Sequence, residues 1–180
     1  MRNNLMEQFG EVAAGEWQAV FKISEIYLML FTSTLSIYYL PRLSEIRERQ
    51  DLWREIGKVY RLFLPLTVIL AGAIYLLRDF LVLILFTKDF IGMTNLFGWQ
   101  LFGDVLKIGS WILGFVMVGR GMVRWFISTE LVFSASWVIF TLLLTNMWGL
   151  QGAPAAFALN YALYWVFMGW LIRREMRIIL

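Results

Sequence analysis

The stretch Trp99-Gln100-Leu101-Phe102-Gly103-Asp104-Val105-Leu106-Lys107 places an acid and a base one helical turn apart at the start of a long apolar run. On an α-helix, Gln100, Asp104 and Lys107 fall on the same face. Moving a charged side chain to the centre of a bilayer costs roughly 2.5 to 3.5 kcal/mol, so such groups usually face other helices or a water-filled cavity. The stretch therefore predicts a membrane-spanning helix with one polar face turned toward protein or water.

The whole chain has the composition of an integral membrane protein. Of its 180 residues, 60% are hydrophobic and only 16% are charged, whereas a soluble fold of this size needs more polar surface. Five segments are long enough to cross a hydrocarbon layer of about 30 Å: 17–40, 60–82, 97–118, 122–145 and 151–172. We expect an all-α membrane protein in which a single bundle, 17–172, follows an external polar segment, 1–16, and precedes a cytoplasmic tail, 173–180.

The distribution of basic residues predicts the orientation of this bundle. Of the 16 lysines and arginines, eleven fall on one side, six of them between Pro41 and Arg61, whereas Arg2, Arg78 and Lys88 fall on the other. Cytoplasmic loops carry the excess of Lys and Arg, so the amino end is predicted to lie outside and the carboxyl end inside. The cytoplasmic linker, 41–59, is predicted to form either a short amphipathic helix on the membrane surface or a solvated loop.

Two further groups of polar residues lie within the predicted spans. Gln18, Lys22 and Glu25 of the first span repeat the spacings of four and three residues, and Glu130 lies about two turns into the fourth span. Each group has a structural alternative: Lys22 can reach the external headgroups, Glu130 can be an interfacial acid, and the acid and base of the third span can form an internal ion pair. The functional alternative is a polar path through the bilayer.

Several kinds of function find no support in the sequence. The chain has no cysteine and no histidine, which removes thiolate nucleophiles and the commonest zinc ligands. It contains neither a Gly-rich phosphate loop nor a Ser-His-Asp set. Its basic residues flank the spans, so topology explains them better than nucleic-acid binding does. We therefore expect a transporter rather than an enzyme, with no metal, no cofactor and no nucleic-acid partner.

Several strings in the chain resemble the carboxyl-terminal half of Wzx-type polysaccharide-lipid flippases, which belong to the MATE-like superfamily. The matching strings are Trp17-Gln18-Ala19-Val20, Lys22-Ile23-Ser24-Glu25-Ile26-Tyr27, Tyr39-Leu40-Pro41-Arg42-Leu43-Ser44, Leu77-Arg78-Asp79-Phe80, Trp99-Gln100-Leu101 and Gly103-Asp104-Val105-Leu106-Lys107. They look most like the flippases of enterobacterial common antigen and O-antigen synthesis. The resemblance implies a fold of two lobes around a central cavity, and this chain would supply most of the carboxyl-terminal lobe.

The resemblance also implies an activity, which is the translocation of an undecaprenyl-diphosphate-linked oligosaccharide from the cytoplasmic to the periplasmic leaflet of the bacterial inner membrane. Basic residues become candidates to bind the anionic diphosphate: Lys22 and Lys107 within the spans, and Arg42, Arg120 and Arg124 at the cytoplasmic entry. Acidic residues would balance those charges or carry protons: Glu25, Asp104 and Glu130. Gln18 and Gln100 would complete the two polar stripes.

The length of the chain is its main departure from this family, whose members are considerably longer. We therefore expect a truncated or partial flippase. Its expected partners are the lipid bilayer, the polyprenyl-diphosphate-linked glycan, and either a missing amino-terminal lobe or the polysaccharide polymerase machinery. Two alternatives remain, namely a cation-coupled drug antiporter of the same superfamily and an accessory or remnant bundle without transport activity of its own.

Overall fold

The structure of the protein, a computed structural model, describes residues 2–86 and 88–179, with side chains described for 5–86 and 90–175. Every regular element in these ranges is helical, so the predicted all-α fold class is confirmed. Seven α-helices follow one another: α1 (Arg2–Thr34), α2 (Leu40–Glu45), α3 (Arg49–Leu76), α4 (Arg78–Leu85), α5 (Phe97–Gly119), α6 (Val123–Trp148) and α7 (Gly152–Ile179). A π-helical segment, Leu35–Tyr39, joins α1 to α2, and a 3-10 segment, Lys88–Leu96, precedes α5.

Five of these helices, α1, α3, α5, α6 and α7, correspond to the five predicted spans. By length and composition, four continuous stretches of the described residues are able to cross a membrane: Leu5–Glu45, Arg49–Leu76, Phe90–Gly119 and Val123–Glu175. The fourth stretch contains both α6 and α7, which pack against each other on either side of Gly149. Gly149 has a φ of 61°, a conformation that glycine adopts readily and that reverses the chain here. The chain is thus a multi-pass membrane protein.

Two helix boundaries differ from the sequence expectations. Helix α1 begins at Arg2, so the polar segment 1–16 is helical where the structure describes it, with a kink at Gly10 (φ 86°, ψ 170°). The linker 41–59 is helical in two parts, since α2 covers 41–45 and α3 covers 49–59, and only 46–48 lies between them. Whether it lies on the membrane surface stays a prediction. Ion pairs one turn apart stabilise this start of α3: Arg54 with Asp51 at 2.7 Å and Lys58 with Glu55 at 3.2 Å.

Helix α5 lies at the centre of the bundle, because it packs against α7, α3 and α1. Small residues let its backbone approach α7 closely. A Cβ atom at Gly103 would overlap the ring of Phe157, and one at Gly109 would lie 2.8 Å from the Trp165 ring. The polar stripe of α5 is therefore placed in the interior of the bundle.

The two ends of the bundle are held by different contacts. At one end, Leu43 of α2 packs against Gly119, and Arg120 donates a hydrogen bond to the carbonyl oxygen of Ile46. At the other end, Gln8 donates a hydrogen bond to Asn146 at 3.3 Å. The α2–α3 connection and the α5–α6 turn consequently share one end, while the start of α1 and the end of α6 share the other. Which end faces the cytoplasm stays a prediction, and the side chains of Arg2, Lys88 and Arg177, counted for it, lie outside the described residues.

Candidate functional site

Asp104 lies buried between α5 and α1, with none of its surface exposed. Tyr27 of α1 donates its hydroxyl hydrogen to Asp104 Oδ2 at 2.7 Å. Gln100, one turn earlier on α5, donates from Nε2 to Asp104 Oδ1 at 3.3 Å. Each oxygen of this carboxyl group thus has a donor, and the group is fixed from two helices at once.

Two polar atoms on these same helix faces have no hydrogen-bond partner among the described residues. They are Gln100 Oε1 and Ser24 Oγ, and both are buried. Ser24 lies one turn before Tyr27 and on the same face of α1. Leaving a buried donor or acceptor unpaired costs about 1–3 kcal/mol. The cluster therefore retains hydrogen-bonding capacity that a water molecule or a substrate hydroxyl would satisfy.

Lys107 is also buried, with only 8% of its surface exposed, and aromatic rings surround it. Its Nζ lies 4.6 Å from the ring centroid of Trp111, 5.5 Å from those of Phe157 and Tyr161, and 5.9 Å from that of Phe21. We call these four rings the aromatic cage. In the described part of the chain no carboxylate oxygen lies within 4.0 Å of this Nζ, so the internal ion pair considered above is not formed.

A cavity of about 260 Å³ opens beside the aromatic cage, between α1, α5 and α6. Trp111 contributes to both the cage and the cavity wall, and Glu130 lines the α6 side. Glu130 Oε1 accepts a hydrogen bond from the Tyr164 hydroxyl of α7 at 2.5 Å. Trp111 is thus shared by the aromatic cage of Lys107 and by the cavity that Glu130 lines, although the sequence placed these two charged residues in different spans.

The polar stripe of the first span lies outside this buried cluster. Lys22 and Glu25 form an ion pair of 2.6 Å, with 62% and 43% of their side-chain surfaces exposed. Gln18, one turn earlier, is half-buried. The buried face of α1 carries Ser24 and Tyr27 instead. Among the described residues, Lys22 and Glu25 therefore share no hydrogen bond or salt bridge with the α5 stripe, although Glu25 is near enough to Lys107 for their charges to interact.

Two of the three arginines predicted at the cytoplasmic opening lie at the end of the bundle. Arg120 is occupied by its hydrogen bond to the Ile46 carbonyl, and Arg124 is exposed at the start of α6. At 1.5 Å per residue, Arg120 is about 20 Å along the helix axis from Lys107. Both arginines are therefore separate from the buried cluster.

Sequence reasoning missed Tyr27 as the donor to Asp104, and it missed the aromatic cage. The sequence contains only a weak signal for the aromatic cage. Phe157 and Tyr161 are spaced by four residues, which places them on one face of α7, but aromatic residues at this spacing usually reflect ordinary packing. Tyr27 and Asp104 are 77 residues apart, so only the folded chain reveals their contact.

Comparisons with known proteins identify two curated relatives. The chain is 34% identical over 175 residues to the lipid III flippase of Escherichia coli (strain K12), a match that covers 94% of this chain and 42% of the relative. The lipid III flippase of Shigella flexneri matches with the same identity and coverage, so the chain spans about two fifths of the length of both. No family profile matches the chain, and neither does any solved structure. The chain is therefore similar, over nearly its whole length, to part of a flippase, as its resemblance to that family of transporters predicted.

Proposed function

We propose that the chain supplies one set of membrane helices to a flippase of the bacterial inner membrane. This flippase would move an undecaprenyl-diphosphate-linked oligosaccharide from the cytoplasmic to the periplasmic leaflet, for enterobacterial common antigen or O-antigen synthesis. The lipid III flippases that resemble the chain support this proposal. Because the chain spans 42% of their length, transport is proposed to need further helices, which an amino-terminal lobe would provide.

The observation that carries the proposal is the environment of Lys107. A buried ammonium group is stabilised most by a negatively charged hydrogen-bond acceptor, which also neutralises its positive charge. The aromatic cage offers Lys107 only the weaker attraction of ring faces, worth about 0.5 to 2 kcal/mol each. A diphosphate brought next to Lys107 would supply the missing acceptor.

The acids near Lys107 have different proposed roles. Asp104 is held by two donors, Tyr27 and Gln100, which suits a fixed charge or a fixed acceptor. Glu130 is only half-buried and lines the open cavity, which suits a group that exchanges protons with water. The exposed pair of Lys22 and Glu25 is proposed to contact substrate once further helices cover that side of α1.

A flipping assay tests the proposal directly. The chain is reconstituted into vesicles together with the amino-terminal part of the E. coli relative, and labelled polyprenyl-diphosphate disaccharide is followed as it reaches the opposite leaflet. Lys107→Gln is expected to slow flipping about tenfold or more, since a charge-assisted hydrogen bond is worth about 1.5–3 kcal/mol. Lys58→Gln, whose exposed ammonium group pairs with Glu55 at 3.2 Å, is the matched loss of charge and is expected to flip normally.

Other outcomes favour the other functions. Flipping by Lys107→Gln at the wild-type rate would make the buried cluster structural. Dye efflux that lipid-linked sugar does not inhibit would favour a cation-coupled antiporter. Absence of transport both with and without the added amino-terminal part would favour an accessory bundle.

A further inference from the structure

The opposite side of the bundle carries a groove that the proposed transport does not use. It lies between α3 and α7, has a volume of about 870 Å³, and has Leu113 of α5 at its base. Trp53 and Ile56 line the α3 wall, and Trp165 lines the α7 wall. The groove opens to the exterior of the bundle, where Val166 is 73% exposed.

The floor of the groove is fixed by a chain of hydrogen bonds. Trp165 donates from Nε1 to the Tyr60 hydroxyl at 2.8 Å, and Tyr60 donates to the carbonyl oxygen of Gly109 at 2.6 Å. The two rings also stack, with centroids 6.1 Å apart and an interplanar angle of 17°. This arrangement gives the groove a defined shape before any ligand enters it.

Two glycines keep the groove open. A Cβ atom at Gly57 would find no other heavy atom within 4 Å, and one at Gly169 would be in ordinary contact with Leu113 at 3.9 Å. Any larger side chain at either position would extend into the groove. The groove therefore exists because these two positions carry no side chain.

One end of the groove is cationic. Arg173 and Arg174, near the end of α7, line it and are exposed. The Arg174 guanidinium lies 5.4 Å from the Trp170 ring centroid. Neither arginine has an acidic partner within 4.0 Å among the described residues. An apolar groove thus leads to two uncompensated guanidinium groups at the end of a membrane helix.

We propose that this groove binds an anionic phospholipid of the surrounding bilayer. Its acyl chain lies along the space beside Gly57 and Gly169, and its phosphate accepts hydrogen bonds from Arg173 and Arg174. Basic pockets between membrane helices are suited to anionic headgroups, and the planar guanidinium group matches phosphate geometry. A wholly apolar helix in the groove would fill the same space but would leave both arginine charges uncompensated, so the charge pattern favours a lipid.

Native mass spectrometry after reconstitution with equal amounts of phosphatidylglycerol and phosphatidylcholine tests this site. The wild-type chain is expected to retain phosphatidylglycerol several-fold over phosphatidylcholine. The double variant Arg173→Gln/Arg174→Gln is expected to lose that preference while retaining total lipid. Gly57→Leu, which leaves both arginines in place, is expected to lower the retention of both lipids at least threefold.

Gly72→Leu is the matched control, because Gly72 also lies on α3, has no heavy atom within 4 Å of a built Cβ, and does not line the groove. It is expected to retain lipid like the wild type. A double variant with the wild-type preference for phosphatidylglycerol would overturn the proposal. Lipid retention by Gly57→Leu at the wild-type level would also overturn the proposal. If this variant also lost dimers, the groove would be assigned to a second copy of the chain.

Discussion

Asp104 and Lys107 lie one turn apart on α5, yet they have different surroundings. The acid has both of its oxygens hydrogen-bonded, by Tyr27 and Gln100, whereas the base has ring faces around it and no carboxylate within 4.0 Å in the described residues. Protein groups therefore hydrogen-bond the acid, whereas the base has no carboxylate at salt-bridge distance, although Asp104, Glu25 and Glu130 are near enough for their charges to act on it. This asymmetry is the basis on which we propose Lys107 as an anion-binding residue.

The first prediction concerns the donor to Asp104. Tyr27→Phe removes the 2.7 Å hydrogen bond and leaves Asp104 Oδ2 buried without it, so it is expected to lower the free energy of unfolding by about 1–3 kcal/mol. Tyr38→Phe is the control, since Tyr38 is 75% exposed nearby in the chain and its loss of a hydroxyl is expected to change little. Unfolding of both variants in a mixed-micelle SDS titration measures the difference. Equal midpoints for the two variants would contradict the role assigned to Tyr27.

A second prediction separates function from stability at Lys107. Lys107→Met replaces an ammonium group by a thioether of similar length inside the aromatic cage. Because no carboxylate oxygen lies within 4.0 Å of Lys107 Nζ among the described residues, the substitution breaks no salt bridge and nearly conserves volume, so the variant is expected to unfold within about 1 kcal/mol of the wild type. It is nevertheless expected to lose flipping in the vesicle assay. Breaking a buried ion pair costs roughly 3–5 kcal/mol, so a destabilisation of that size would show that Lys107 is a structural charge after all.

At the scale of elements, the contact between α5 and α7 decides where the polar stripe lies. Gly103 allows α7 to come so near that Phe157 packs over the α5 backbone. The same ring belongs to the aromatic cage around Lys107. A change in the separation of these two helices would therefore move a wall of the candidate site as well as the core.

The third prediction uses this close approach. Gly103→Ala is expected to destabilise the chain by about 1–3 kcal/mol, because its Cβ would overlap Phe157 and overpacking has this cost. Gly72→Ala is the matched control in α3, where no neighbour lies within 4 Å. There the higher helix propensity of alanine is expected to raise stability by about 1 kcal/mol. Thermal unfolding in detergent compares the pair, and a shift of the same sign in both variants would contradict the packing argument.

The helices that the sequence predicted best are those whose ends carry clear local signals. Helices α5, α6 and α7 begin at or within one residue of the predicted spans, because polar residues and glycines interrupt the apolar runs there. The sequence predicted a first membrane span from residue 17, whereas helix α1 begins at Arg2, so the helix extends well beyond the predicted span. Its residues Leu5 and Ala14 are in fact buried against the rest of the chain, and that packing has no local signal. The contact of Tyr27 with Asp104 was equally unpredictable, because it joins two distant helices.

At the scale of the whole molecule, the contacts at the two ends assign each connection to a side without reference to the membrane. Arg120 ties the α5–α6 turn to the α2–α3 connection, and Gln8 ties the start of α1 to the end of α6. The first end also carries most of the basic residues of the described chain. The positive-inside rule therefore predicts that this basic end faces the cytoplasm, with the amino end of the chain periplasmic and the carboxyl end cytoplasmic.

Single cysteines test this orientation, since the chain has none of its own. Glu48→Cys lies in the exposed α2–α3 connection, and Met147→Cys lies at the opposite end of the bundle, where Met147 is 75% exposed. In intact spheroplasts, a membrane-impermeant maleimide is expected to label Met147→Cys and to leave Glu48→Cys unlabelled. Permeabilisation is the control, because it should make both cysteines equally reactive. The reverse pattern would invert the bundle, and it would place Arg120 and Arg124 on the periplasmic side, away from the leaflet in which the proposed substrate begins.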